Sequence, residues 1–441
     1  MNHNHQHHRE RRARLIAEMR KHSGGGLAAI PTAPEAIRNA DTHYPYRPDS
    51  HFYYLSGFAE PEAVVVLLAG PEQGDSKQVL FCRDKNPERE IWDGFRYGPD
   101  AAREIFGFDE AYSITDLSAK LADWSCNRPA LYTPLGLYPA WDQTITATLN
   151  EVRNRVRTGV TVPDAIVDVR APVSTMRLQK DEHEVALLRR AAEISSSAHR
   201  RAMERTRPGW YEYQVEAELM HEFLRCGAQA VAYPSIVASG PNACVLHYRD
   251  NNRQTQADDL LLIDAGCEYL GYASDITRSF PVGGKFSGPQ KAIYELVLAA
   301  QLACIEAVQP GRRFHDYHQV AERVLAQGLI DLKLCEGSLD AVLESGAYKQ
   351  FYMHRAGHWL GLDVHDVGLY QVDGSSRLLA PDMVLTVEPG CYIRPADHVP
   401  EEFWDIGVRM EDDVLVTATG NENLMAATPK SVADIEAVMQ R

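Results

Sequence analysis

The sequence predicts two domains, an α/β domain at the amino terminus and an α+β domain at the carboxyl terminus. Up to about Val169, strand-like apolar runs alternate with helical segments, which is the pattern of an α/β domain. Beyond this point, long helices are followed by paired strands, and that order then repeats. A length of 441 residues is enough for two such domains, each with its own core. We place the boundary after Ser174, which gives domains 1–174 and 175–441.

Apolar runs and chain-breaking residues define the elements of the first domain. Periodicity predicts helices and strands in alternation, with helices at 11–21, 101–123 and 141–156 and strands at 52–58, 63–68, 79–81 and 130–132. No part of this domain has the spacing of a catalytic constellation. We therefore expect it to shape access to a site or to support the assembly of subunits.

The second domain is predicted to contain a repeated order of elements. Helical periodicity extends over four segments, with Gly or Pro at or just beyond each end: 181–205, 213–226, 289–308 and 315–328. Strand-like runs follow each pair of helices. This order suggests an internal duplication in which each half contributes two carboxylates.

Two aspartates lie in an apolar stretch, residues 260–280, that predicts a β-hairpin. One apolar run ends on Asp264, and a second run returns through Asp275. A turn at Tyr269 and Leu270 would place the two carboxylates directly opposite each other, with Cβ atoms roughly 4.5–5.5 Å apart. Such carboxylates repel unless a proton or a cation lies between them, and a hard divalent metal suits that place. In the alternative arrangement, Asp264 caps the turn and Asp275 faces water.

Later stretches of the sequence favour the metal interpretation. Residues 354–365 hold three histidines, and strand-like runs end on Glu388 and Glu411. In each case the acid interrupts or terminates apolar sequence, where an unpaired charge is costly. Four carboxylates with a histidine cluster between the pairs therefore predict a site for two metal ions.

The sequence contains several short motifs that resemble those of one peptidase family. The matching segments are IDAG at 263–266, SDITR at 274–278, HxxxHxLGLDVHD at 354–366, VEPG at 387–390 and RMEDD at 409–413, with YPYRPDSHFYYLSGF at 44–58 and IWDG at 91–94 in the first domain. They are similar to motifs of the aminopeptidase P branch of the pita-bread metallopeptidases. The resemblance implies that the second domain is a pseudo-twofold, curved antiparallel sheet flanked by helices, with the site on its concave face.

The resemblance also implies a set of metal ligands. Asp264 would hold one ion, Asp275 and Glu411 would bridge both ions, and His358 with Glu388 would hold the second. A ligand set rich in carboxylates suits Mn²⁺, with Co²⁺ and Zn²⁺ as alternatives. A hydroxide bridging the two ions would attack the peptide carbonyl. Glu388 would take up and deliver its proton.

Three histidines outside the ligand set receive roles from the same resemblance. His247 and His365 match histidines that contact the substrate near the scissile bond and take part in catalysis. His354 either contacts the substrate in the same way or orients another group of the site. None of the three is expected to hold metal.

The remaining polar residues are assigned partly from spacing and partly from resemblance. Arg409 is two residues from Glu411 on a strand, so the two side chains share a face. We expect Arg409 to offset the charge of the carboxylates, with Tyr392 in a proton relay. Trp92 would contact the substrate by closing the site of a neighbouring subunit in a homodimer or homotetramer, unless it is an ordinary core residue. Asp412 and Asp413 are expected at the surface or behind the ligands.

The composition of the chain argues against several classes of function. A net charge of −16 without an offsetting basic stripe argues against nucleic-acid binding. Eight cysteines without a CxxC pair indicate a reducing compartment and thiols that fill the core. No apolar run approaches the ~20 residues of a membrane span, and no secretory signal is apparent. We therefore expect a cytoplasmic protein that does not bind membranes.

The predicted function is that of a dinuclear metal aminopeptidase that removes the N-terminal residue before proline. Proline lacks a backbone N–H and its ring fixes φ near about −65°, so its recognition requires a dedicated pocket. The nearest alternative is a prolidase-type dipeptidase with the same ligands. A pita-bread protein without metal catalysis, either a creatinase-like enzyme or a binding module, would be expected to lack ligands, and the sequence lacks none.

Overall fold

The protein, in a computed structural model that describes residues 5–440, consists of two compact units that divide after Met176. The sequence places the domain boundary at Ser174. The helices of the first unit are α1 (Gln6–Ser23), α2 (Ser50–Ser56), α3 (Pro87–Asp93), α4 (Gly98–Phe106), α5 (Leu117–Ser125), α6 (Pro139–Asn154) and α7 (Arg170–Leu178), within which the division falls. Its strands are β1 (Gly26–Pro31), β2 (Ile37–Asn39), β3 (Thr42–His43), β4 (Val64–Ala69), β5 (Lys77–Cys82), β6 (Glu110–Ser113), β7 (Ala130–Thr133) and β8 (Ala165–Asp168).

A mixed six-stranded sheet in the order β6-β5-β4-β1-β7-β8 forms the centre of the first unit. Strand β1 pairs antiparallel with β4 and parallel with β7. Every residue of β1 and β4 is buried, so both faces of the sheet are covered at its centre. Helices alternate with these strands along the chain, which confirms the predicted α/β architecture.

Two segments of the first unit differ from the prediction. Residues 52–58 were expected to form a strand, but residues 52–56 belong to helix α2. The Asp49 side chain accepts the Phe52 N–H at 2.9 Å, and Gly57 ends the helix with a φ of 66°. These cap residues decide the conformation because an N-cap aspartate and a left-handed glycine fit helix ends. Residues 101–123 were expected to be helical throughout, but β6 separates α4 from α5.

The second unit contains two successive sets of helices and strands. Its helices are α8 (Glu182–Arg205), α9 (Glu212–Arg225), α10 (Gly288–Ala307), α11 (Asp316–Asp331), α12 (Leu339–Ser345) and α13 (Val432–Met439). Its strands are β9 (Ala230–Val231), β10 (Ile236–Ser239), β11 (Leu260–Asp264), β12 (Cys267–Tyr269), β13 (Tyr272–Ala273), β14 (Thr277–Pro281), β15 (Gln371–Val372), β16 (Ser375–Ser376), β17 (Val384–Val387), β18 (Gly390–Ile393), β19 (Ile406–Arg409), β20 (Asp412–Val416) and β21 (Asn421–Asn423). The order of helices followed by strands thus occurs twice, as expected.

The long helices of the second unit begin at defined caps. Asp181 and Glu184 form a capping box at the start of α8, and Ser287 and Gln290 form another at the start of α10. The apolar faces of these helices pack with the strands into one core that includes Ile263, Val297 and Leu385. Among residues 5–440, no helix combines the length and the apolar character needed to cross a membrane.

The strands of the two halves meet at the middle of the second unit. Antiparallel sheets β10-β11-β14 and β17-β20-β21 come from the first and second half. The Glu411 N–H donates to the Thr277 carbonyl at 3.2 Å, and the Thr277 hydroxyl donates to Glu411 Oε2 at 2.7 Å. Glu411 is thereby held beside β14, although it comes from the other half of the domain.

The central hairpin turns one residue later than the sequence predicts. Leu270 and Gly271 form the turn with φ values of 48° and 84°, and Tyr269 pairs with Tyr272. A two-residue turn with both φ values positive favours glycine at its second position, and this preference fixes the register. Asp264 therefore pairs with Thr277, so the prediction that it lies directly opposite Asp275 is wrong. The two aspartates are diagonal neighbours, which still share a face.

Gly266 allows the two arms of the hairpin to approach closely between the aspartates. A Cβ atom at this position would overlap the carbonyl oxygen of Ser274 on the opposite arm. We expect Gly266→Ala to lower the free energy of unfolding by about 3 kcal/mol or more, because backbone atoms must move to relieve the overlap. Urea denaturation measures this loss.

Gly420→Ala is the matched control for this prediction, since no atom lies within 4 Å of a Cβ at Gly420. Equal stabilities for the two variants would contradict the close approach at Gly266.

Candidate metal centre and active site

The carboxylates of Asp264 and Asp275 converge on the hydroxyl of Tyr233. This hydroxyl lies 2.6 Å from Asp264 Oδ1 and 2.5 Å from Asp275 Oδ1. The single phenolic proton therefore has two carboxylate acceptors. Burial, followed by the charges of the two aspartates, raises the pKa of Tyr233 well above its ordinary value. The phenol stays protonated and keeps the two aspartates together.

Asp275, His358 and Glu411 form a compact group of potential metal ligands. One ligand atom from each lies within 4.8 Å of the others. His358 Nε2 is 3.4 Å from Asp275 Oδ2 and 3.7 Å from Glu388 Oε1, which places Glu388 at the same centre. Together with Asp264, the structure thus brings together all five residues that were predicted to hold metal.

Backbone hydrogen bonds fix the His358 and Glu388 side chains relative to each other. The Thr386 N–H donates to the His358 carbonyl at 2.9 Å, and the Glu388 N–H donates to the Ala356 carbonyl at 2.9 Å. The His358 ring uses Nδ1–H to donate to the Trp359 carbonyl at 3.0 Å. This bond orients the ring so that Nε2 faces the carboxylates and can hold a metal ion once its proton is lost.

The charges at this centre match a divalent cation. Burial raises the pKa of Glu388 to about 7, although His358 and Arg409 act in the opposite direction. Burial and the charges of Asp275 and Glu388 raise the pKa of Glu411 well above its ordinary value. Buried carboxylates this close together need a compensating positive charge. A donor set of carboxylate oxygens and one imidazole accommodates a hard or borderline divalent ion, which would supply that charge.

The pKa of His358 is raised, whereas that of His354, the other histidine beside these groups, is lowered. Burial lowers the pKa of His358, but the hydrogen bond with Asp275 and the charge of Glu388 outweigh that effect and raise it to about 9. The imidazolium thus occupies a position where the local charge calls for a cation. Loading a metal on Nε2 must displace this proton.

Arg409, Tyr392 and His354 form a hydrogen-bonded chain that ends on Asp264. Arg409 donates through Nη2 to Asp264 Oδ2 at 2.6 Å and through Nη1 to the Tyr392 hydroxyl at 2.9 Å. The Tyr392 hydroxyl lies 2.9 Å from His354 Nε2, and His354 Nδ1–H donates to the Arg355 carbonyl at 2.8 Å. Burial, followed by the charge of Arg409, lowers the pKa of His354 to about 4. His354 is therefore neutral and accepts the Tyr392 proton.

A cavity of about 570 Å³ opens over these groups. His247 and His365 line it with exposed side chains, and the His365 ring lies 4.2 Å from the His358 ring between centroids. Leu246, Val364 and Tyr370 add apolar surface to the wall. A space of this size accommodates a short peptide with its reacting bond above the carboxylates.

Several residues around the site differ from expectation or were not found from the sequence. Tyr233 was not predicted, because no spacing signal distinguishes it from other tyrosines. Asp412 and Asp413 are both buried, so the alternative that places them at the surface is wrong. Asp412 accepts from Arg278 Nη2 at 2.7 Å, and Asp413 Oδ2 accepts the Asp275 N–H at 3.1 Å.

Trp92 lies on α3 of the first unit and is 83 % exposed. This exposure excludes the alternative that it is an ordinary core residue. Its predicted contact with substrate stays a prediction.

Comparisons with known proteins assign the chain to a family. Residues 186–418 match metallopeptidase family M24, and residues 8–132 match the N-terminal domain of aminopeptidase P. The chain is similar to Xaa-Pro aminopeptidase of Escherichia coli, with 44% identity over 97% of this chain and 96% of that one. It is also similar to human Xaa-Pro aminopeptidase 3, with 32% identity over 97% of this chain and 84% of the relative.

Solved structures lead to the same assignment. Aminopeptidase PepP of Pseudomonas aeruginosa superposes with a TM-score of 0.95 at 48% identity, covering 99% of this chain and 98% of that one. Aminopeptidase P of Escherichia coli bound to the inhibitor Pro-Leu superposes with a TM-score of 0.95 at 44% identity, covering 99% and 98% of the two chains. The chain is a metallopeptidase and belongs to family M24. Within this family, its close relatives are Xaa-Pro aminopeptidases, and the predicted pita-bread fold and enzyme class are confirmed.

Proposed function

We propose that this enzyme removes the N-terminal residue from peptides with proline in the second position. The observation that carries the proposal is the convergence of Asp264, Asp275, His358, Glu388 and Glu411 on one cavity. Nearly full-length similarity to Xaa-Pro aminopeptidases supports the substrate class. The enzyme would be a hydrolase that requires divalent metal ions.

We propose the following ligand assignment for two ions. Asp264, Asp275, His358, Glu388 and Glu411 would hold these ions. Four carboxylates and one imidazole favour Mn²⁺, with Co²⁺ and Zn²⁺ as alternatives. When bound, such ions supply the Lewis acidity that activates water near neutral pH.

The residues of the chain would then position the substrate and move protons. Glu388, which faces the cavity, would accept a proton from the attacking water and deliver it to the departing nitrogen. His247 and His365, on the wall of the cavity, would orient the peptide and donate to its developing charge. Arg409 would hold Asp264 in place, and His354 would hold Tyr392 through its lone pair.

Peptides of two lengths distinguish this function from that of a prolidase-type dipeptidase. We expect metal-loaded enzyme to cleave Ala-Pro-Ala at least as well as Ala-Pro, because an aminopeptidase leaves the proline side of the cavity open. Replacing proline by alanine in the tripeptide should remove most of the activity, since the proposed pocket is shaped for a ring without an N–H. Initial rates followed by chromatography measure both effects. Cleavage of the dipeptide alone would favour the dipeptidase.

We further propose a cytoplasmic homo-oligomer, a dimer or tetramer. All eight cysteines are free, which suits a reducing compartment. Ile91, Trp92 and Phe95 are all exposed and provide apolar surface for a subunit contact. The first unit, placed at 1–174 from the sequence, would support assembly and access to the site. Sedimentation of the wild type and Trp92→Ala measures the oligomeric state.

A further inference from the structure

Two arginine side chains stand in the wall of the cavity. Arg249 and Arg355 both line the cavity and are exposed. Within residues 5–440, no side-chain hydrogen bond or ion pair joins either guanidinium group to another residue. A guanidinium group that faces a cavity without such a bond can bind an anion without first breaking an internal contact.

Among the described residues, no carboxylate of the cavity wall pairs with these two arginines. The acidic residues of the described wall are the four carboxylates proposed to hold metal ions: Asp264, Asp275, Glu388 and Glu411. The remaining arginine of the wall, Arg409, is paired with Asp264 at 2.6 Å. Arg249 and Arg355 are therefore the two arginines of the described wall that have no carboxylate partner.

The backbone holds both arginines close to the groups that would act on the substrate. The Arg355 carbonyl accepts from His354 Nδ1–H at 2.8 Å, and the next residue, Ala356, accepts the Glu388 N–H at 2.9 Å. Arg249 lies two residues after His247 and directly follows Tyr248, whose hydroxyl donates to Glu212 at 2.7 Å. Each arginine thus extends from a fixed backbone position at the edge of the active site.

We propose that Arg249 and Arg355 bind a carboxylate of the substrate beyond its proline residue, an inference that rests on the aminopeptidase function proposed above. Because the bond that is cleaved follows the first residue, the amino end of the peptide lies at the proposed metal ligands. The opposite end of the peptide then lies toward the guanidinium groups, which can receive a carboxylate through paired N–H donors. This carboxylate is either the chain end of a short peptide or an acidic side chain after proline.

Three peptides separate the two sources of the carboxylate. Ala-Pro-Gln-amide has none, Ala-Pro-Gln has one at its chain end, and Ala-Pro-Glu-amide has one in its side chain. We expect a KM about three- to tenfold lower for a carboxylate peptide than for Ala-Pro-Gln-amide, the range for exposed charged contacts. The preference should weaken in 0.5 M salt because exposed charges are screened. Preference for Ala-Pro-Gln identifies the chain end, and preference for Ala-Pro-Glu-amide identifies the side chain.

Substitutions then test whether the two arginines cause the preference. Arg249→Gln and Arg355→Gln should each reduce the ratio of KM values, and the double variant should bring it close to one. Arg323→Gln, which changes an exposed arginine on α11 outside the cavity, should keep the wild-type ratio. Equal KM values for the three peptides in the wild type, or an unchanged ratio in the double variant, would overturn the proposal.

Binding measurements test the arginines independently of turnover. Calorimetric titration with Pro-Leu and with Pro-leucinamide compares a carboxylate with an amide on otherwise equal ligands. Tighter binding of Pro-Leu by the wild type and its loss in the double variant would support the role of the arginines. Equal binding of Pro-Leu and Pro-leucinamide would refute recognition of the chain end. If the three peptides also had equal KM values, recognition of any carboxylate would be refuted. Failure of metal-loaded wild type to cleave all three peptides would instead contradict the aminopeptidase function.

Discussion

Asp275→Ala is expected to lower kcat/KM by about 10³-fold or more and to reduce bound metal in parallel. Asp275 is buried, approaches His358 and Tyr233 with its two carboxylate oxygens, and belongs to the compact ligand group. Its removal takes away a residue that would hold the metal ions. Metal analysis of the purified variant, together with peptide hydrolysis in excess Mn²⁺, measures both losses.

Two further variants distinguish loss of a ligand from loss of the fold. Asp275→Asn keeps the side-chain shape and removes its charge, so it should retain the circular dichroism of the wild type while losing metal. Asp258→Ala removes an exposed aspartate of the same unit and should leave metal content and activity unchanged. Near-normal turnover by Asp275→Ala with its full metal content would exclude the two-metal assignment.

His247→Ala and His365→Ala are expected to lower kcat/KM by roughly 10- to 10³-fold, the range for losing one group that stabilises developing charge. Both side chains line the cavity. Partial loss of solvent around His365, followed by the neighbouring charge of His358, lowers the pKa of His365. A neutral His365 imidazole can donate to the substrate without opposing the metal ions. Steady-state kinetics on a Xaa-Pro-Yaa tripeptide give the values.

Metal content should be unchanged in these two variants, because neither histidine belongs to the proposed ligand set. His221→Ala removes an exposed histidine of α9 outside the cavity and serves as the control for a general effect of losing an imidazole. Loss of metal in either His247→Ala or His365→Ala would show that the ligand set has been assigned incorrectly.

The site was best predicted from the sequence where the spacing or the charge of a residue permits only one arrangement. Arg409 and Glu411 are two residues apart on extended chain, and this spacing placed the guanidinium beside the carboxylates without further information. Its contact with Tyr392 was also expected, and the structure gives 2.9 Å for it. Acids that terminate apolar runs pointed correctly to one centre, since such charges require compensation wherever the chain folds.

The sequence was less informative where several weak preferences compete. The hairpin register depended on which pair of residues forms the turn, and the preference of Gly271 for a positive φ outweighed the symmetry that placed the aspartates opposite each other. Residues 52–58 include aromatic residues that favour a strand. Asp49 and Gly57 nevertheless cap the two ends of a helix over residues 50–56. Tyr233 reaches the aspartates only through tertiary packing, which local sequence does not encode.

The contact between Thr277 and Glu411 also governs when the proposed centre can form during synthesis. These residues are separated by 134 positions, so their pairing requires most of the second unit to be folded. A nascent chain that has not yet extended past β19 has Asp264 and Asp275 but lacks Glu411, and it cannot complete the centre.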